Sequence, residues 1–168
     1  MVVSIPYGPP PPPRYIPVSA AWIRHAKRCL LGAGLPLLFV SAMVGAAGIP
    51  APFFLVSVGS FAVLTAMLTA VAALFGFMHG VFTLTARSYF KTGWLEANGA
   101  TGSRRGSVIL MGGVFALSAL AAFSLHLDSE GGVELLVYTA FLFLPAFLSF
   151  VATIVTFTAL RSDIPGLR

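Results

Sequence analysis

The chain has 168 residues, of which 58% are hydrophobic and only 9% charged, with a formal charge of +5. Its mean hydropathy is +0.94. Soluble domains carry about 25% charged residues, and a soluble core could not hide this much apolar surface, so the composition points to an all-α, polytopic membrane protein. The single cysteine, Cys29, excludes an intramolecular disulfide and any multi-cysteine metal site.

Residues 1–18 read as a proline-rich cytoplasmic tail. The run Pro9 to Pro13, flanked by Tyr7 and Tyr15, favours an extended polyproline II conformation, either as a solvated tail or as a docking strand for a partner. Residues 19–168 read as one four-helix transmembrane domain. Ser19 is placed to cap a first helix. Trp22, Arg24, His25, Lys27 and Arg28 then form a basic aromatic collar suited to lipid headgroups and partner contacts.

From Cys29 to Ala86 there is no Asp, Glu, Lys or Arg, a run roughly three times the ~20 residues that cross a bilayer as a helix. Its one interior break is Gly48-Ile49-Pro50-Ala51-Pro52, where two prolines remove amide donors and disfavour helix. The stretch therefore predicts a helical hairpin, with a first span over about 29–47, kinked at Pro36, and a second over about 53–78. Val44-Gly45-Ala46 resembles a signal cleavage site, but the apolar region is longer than a signal peptide's, so it reads as a retained span. The second apolar run reaches Ala86, and as one helix would measure about 50 Å. It is expected to project past the bilayer, with Arg87, Lys91 and Trp94 continuing as an amphipathic interfacial segment.

Glu96 to Arg105 reads as a flexible Gly-rich loop. The third span is predicted over about 107–127 and the fourth over about 135–160, broken at Pro145. All ten Lys and Arg lie in the N-terminal tail, the second-to-third connection or the C-terminal tail, whereas Asp128, Glu130 and Glu134 lie in the third-to-fourth connection. The positive-inside rule then places both termini in the cytoplasm. Arginine is common and lysine scarce, with Ala and Gly abundant, a bias that points to a GC-rich bacterial genome and so to a bacterial plasma membrane.

His79 is the only ionisable side chain well inside an apolar run, and such groups are functional candidates. Haem ligation needs a second histidine at equal depth. His126 is expected at the opposite surface and His25 in the collar, so His79 reads as a hydrogen-bonded or interfacial residue. Small residues recur at helical spacing: Gly76 and Gly80; Ala62, Ala66 and Ala70; and Gly112, Ala116 and Ala119. These are helix-packing candidates, because small faces let backbones approach closely in lipid. Ser149, Thr153 and Thr156 lie near one face of the fourth span and are placed to bond across helices or to their own carbonyls. No acid lies within a span, and no CxxC, G-x-S-x-G, H-E-x-x-H or P-loop occurs. We therefore expect no catalytic residue, metal or cofactor, and no nucleic-acid or soluble substrate.

The layout resembles that of small four-span accessory proteins of actinobacterial envelope complexes, in particular accessory subunits of Mce-type lipid importers. The residues behind the resemblance are Ile5-Pro6-Tyr7-Gly8 with Pro9 to Pro13, the basic collar, and four spans with almost no loops. It implies a role in fatty acid or sterol uptake beside an ABC-type permease and its ATPase. Accessory subunits of respiratory complexes share the layout, and a small homo-oligomeric channel or carrier is the other alternative.

Overall fold

The computed structural model describes residues 15–48, 60–128 and 133–160. Among these residues four helices carry the fold: α1 Ala20–Gly48, α2 Ser60–Thr85, α3 Ala97–Asp128 and α4 Val133–Ala159. All four are long and apolar enough to cross a membrane. α1 packs mainly on α2 and then on α4, α2 on α3, and α3 on α4, while α2 and α4 meet across the diagonal. The proline run, the Gly48–Pro52 break and the start of the second span near Phe53 lie outside the described residues.

The start of α1, the end of α2, the start of α3 and the end of α4 meet at one end of the bundle. Arg24, Lys27, Arg28, Arg87, Lys91, Arg104 and Arg105 all belong to this basic end. It is closed by an apolar cluster of Ile23, Ala26, Leu30, Ala86, Phe90, Leu95, Ala100, Ala159 and Leu160. Ser19 caps α1, accepting a hydrogen bond from the Trp22 amide at 3.2 Å.

Three features of this end depart from the sequence expectations. First, the amphipathic segment expected after α2 takes the form of strands. A short 3-10 turn, Ala86–Tyr89, leads into a hairpin of β2 Phe90–Lys91 and β3 Trp94–Glu96, which turns at Gly93. Gly93 has a φ of 80°, a conformation that glycine adopts at little cost. Second, the tail is not wholly free. β1, Tyr15–Pro17, pairs antiparallel with β3, with Ile16 opposite Leu95, to give the strand order β1-β3-β2. The sheet follows the two-residue period of strands: Ile16, Leu95 and Phe90 turn inward and are buried, whereas Tyr15, Trp94 and Lys91 are exposed.

Third, Glu96 to Arg105 is not a flexible loop. It finishes β3 and forms the opening turns of α3, which begins about three turns before the predicted start at residue 107. Glycine, asparagine and serine are poor helix formers, but tertiary burial outweighs propensity here. Ala97, Ala100, Ser103 and Ser107 recur at three- or four-residue spacing and are all buried, and Gly99 lies against the Tyr89 ring, where a β-carbon would not fit. Neither proline breaks its helix: Pro36 lies within α1 and Pro145 within α4.

Candidate functional site

α2 is the element on which the interior is built. Ala66, Thr69, Ala73, Gly76, Gly80 and Thr83 alternate at three- and four-residue spacing and are all buried. This is the seam expected of a tightly packed antiparallel helix. Two of the predicted packing glycines lie on it. A β-carbon at Gly80 would approach the Leu38 amide nitrogen of α1 to 2.9 Å, and one at Gly76 would collide with Ser41 of α1 and meet Pro145 of α4 at 3.7 Å. Ala66 is buried, while Ala62 and Ala70 are half-buried.

The close approach of α1 to the two glycines encloses the residue between them. His79 has no exposed surface. Its Nδ1 lies 2.6 Å from Ser149 Oγ of α4 and its Nε2 lies 2.7 Å from Ser107 Oγ of α3. Ser107 donates to Thr153 Oγ1 at 3.1 Å, and Thr153 donates to the Ser149 carbonyl at 3.0 Å. These bonds have one consistent direction. With its proton committed to Thr153, Ser107 accepts from His79 Nε2–H. The other ring nitrogen then accepts from the Ser149 hydroxyl. The chain of donors runs Ser149, His79, Ser107, Thr153 and back to the Ser149 backbone, a closed ring across α2, α3 and α4. Every buried polar atom in it is used, as a low-dielectric interior requires. Thr156, one turn on, donates to its own Ala152 carbonyl at 2.8 Å.

Ser149 and Thr153 were legible as a polar face, and His79 as a hydrogen-bonded or interfacial residue, of which the structure shows the first. Ser107 was missed as their partner, because a third span starting at that residue would put it at the membrane edge. The buried hydroxyls of Ser41, Thr83, Ser103 and Ser118 stand in contrast, having no partner. Among the described residues no three His, Cys, Asp or Glu side chains come together to hold a metal.

The third predicted packing ridge is corrected. Gly112 and Ala116 are exposed and Gly112 has open space around it, so they do not pack within the bundle. The glycines of α3 that do include Gly106, against the Phe82 ring, and Gly113, against Phe75, besides Gly99 against Tyr89.

The interfacial candidates gather at the basic end. Arg24, Arg28, Lys91 and Trp94 are exposed, whereas Trp22, Lys27 and Arg87 are half-buried. Lys91 and Trp94 are cross-strand partners on the outward face of the sheet. Arg24, Lys27 and Lys91 share a groove of about 470 Å³ with Phe90 and Gly93. Cys29 Sγ lies 3.5 Å from His25 Nε2, beside Trp22. Set against known proteins, the chain matches no family model, no curated protein and no solved structure.

Proposed function

We propose that this membrane protein is a non-enzymatic accessory or regulatory subunit of a larger membrane complex, with the basic end and both termini in the cytoplasm of a bacterial plasma membrane. The observation that carries this reading is the closed hydrogen-bond ring at His79. It engages His79, Ser107, Ser149 and Thr153, so these four are bonded to one another rather than turned toward a substrate. The surfaces left for work are the outer walls and the basic end. The walls are broadly apolar, with Phe39, Met43, Met67, Leu74, Phe123 and Phe147 all exposed, as suits contact with lipid or neighbouring subunits. The basic end offers Arg24, Lys27, Arg28, Arg87, Lys91 and Trp94 for partner contacts. The resemblance to accessory subunits of Mce-type importers supports a lipid-transport machine with permease and ATPase subunits as the host complex.

A homo-oligomeric channel is disfavoured by Thr153, the residue best suited by sequence to line a pore. It is only 7% exposed, and its hydroxyl is bonded to Ser107 and Ser149. Purification from the native host in mild detergent, followed by mass spectrometry, tests the proposal. Stoichiometric recovery with permease or ATPase subunits is expected. Recovery with cytochromes would replace the transport assignment by a respiratory one, and recovery only as a homo-oligomer that carries flux in liposomes would overturn the accessory reading. Orientation is tested by single cysteines placed in residues 48–52, which are expected to react with impermeant reagents only from outside the cell.

A further inference from the structure

The groove at α1 is shared with the hairpin; a second groove at the basic end lies between α3 and α4. It has a volume of about 540 Å³ and is lined by Thr101, Arg104, Arg105, Val108 and Ile109 of α3 and Phe157 of α4. The Arg104 guanidinium lies 4.6 Å from the centroid of the Phe157 ring. A cation–π contact of this kind does not consume the guanidinium N–H donors, which stay available to an anion. Arg105 is exposed beside it, and among the described residues no carboxylate lines the groove.

The groove changes character along α3. Beyond the arginines, Val108 is 43% and Ile109 71% exposed. One turn further, Gly112 is exposed, with nothing within 4 Å of where a β-carbon would stand. Residues 105, 109, 112 and 116 follow three- or four-residue spacing and so share one face. Two cations therefore sit above a shallow apolar furrow on a span-length helix. A soluble anion would use the arginines and leave the furrow bare. An acidic protein segment would put charge or exposed backbone where the furrow is apolar. A molecule with a phosphodiester at one end and a hydrocarbon chain at the other matches both halves.

We propose that this groove binds an anionic phospholipid, with its phosphate held by Arg104 and Arg105 and one acyl chain lying along Val108, Ile109 and Gly112. Basic pockets between membrane helices suit such headgroups. The inference goes beyond the accessory-subunit reading and does not depend on it.

The test is native mass spectrometry of the full chain in detergent, supplied with equal amounts of phosphatidylglycerol and phosphatidylcholine carrying identical acyl chains. The wild-type chain is expected to retain phosphatidylglycerol preferentially. Each arginine should contribute roughly fivefold to that preference, so Arg104→Gln with Arg105→Gln removes most of it. Arg105→Gln alone, at an exposed position, should lower it roughly fivefold without challenging the fold, and Arg105→Lys should preserve it. Arg24→Gln with Lys27→Gln, in the other groove, should lower it less than the Arg104/Arg105 pair does. Excess inorganic phosphate should not displace the lipid. Equal retention of both lipids by the wild type, or an unchanged preference in both glutamine variants, would overturn the proposal. So would loss of the preference in the Arg24/Lys27 variant alone, or displacement by phosphate, which marks a free-anion site.

Discussion

Gly80 and Leu38 meet backbone to backbone: a β-carbon on Gly80 would stand 2.9 Å from the Leu38 amide nitrogen and 3.0 Å from its Cα. A backbone cannot swing aside as the tip of a long side chain can, so the contact depends on the missing methyl group. Gly80→Ala is expected to destabilise the bundle by about 1–3 kcal/mol through overpacking. Gly112→Ala, in open space on the same kind of helix, should be neutral or stabilising by up to about 1 kcal/mol. Reversible unfolding in mixed micelles checks both. Equal effects of the two substitutions would mean that α1 and α2 are not in this register.

The ring at His79 separates useful hydroxyls from idle ones. Ser149→Ala strips Nδ1 of its partner and should cost about 0.6–1.7 kcal/mol, from the average to the maximum of hydrogen bonds measured between membrane helices. Ser118→Ala removes a buried hydroxyl that has no partner and should be neutral or mildly stabilising. A double-mutant cycle between Ser149→Ala and Ser107→Ala should show coupling through the imidazole. Strict additivity would dissolve the ring into independent contacts.

Amide hydrogen exchange tests the early start of α3. The amides of residues 101–105 should be protected to a degree approaching that of mid-helix residues, because Ala100 and Ser103 are buried and their turns bear on the closed end of the bundle. Rapid exchange throughout 97–105 would restore the flexible loop.

His79 has a serine hydroxyl on each ring nitrogen, which leaves no lone pair for iron. The purified protein is expected to show no Soret absorbance. A band that disappears in His79→Ala would falsify this.

Four apolar helices could be read from the sequence because length and charge partition are properties of whole segments. The basic end could not be read so well, because its structure is decided between segments. Strands of two or three residues leave almost no periodic trace, and Ile16 meets Leu95 only after two spans have been laid down. Gly99 and Gly102 look like loop residues until Tyr89 is seen packed on Gly99. With the third span started at residue 107, Ser107 stood at its very edge and was not recognised as the partner of His79. Gly112 and Gly113 show the limit in its sharpest form. They are adjacent and chemically identical, yet Gly113 faces Phe75 and Gly112 faces outward, and an almost uniformly apolar helix does not mark the difference.

The pairing of β1 with β3 also orders events during synthesis. Pro17 and Trp94 are register partners, and at about 5–20 residues added per second, some 4–15 s separate their appearance from the ribosome. Throughout that interval the tail strand has no edge to join, and the apolar row of Ile16, Phe90 and Leu95 is incomplete. The first two helices can form a hairpin in the meantime, but the sheet that helps close the basic end is complete only after the second connection has emerged, and Ala159 and Leu160 join that end last. A chain stalled before Glu96 would thus display an unsealed end, a distinguishing mark by which quality control can tell unfinished copies from finished ones.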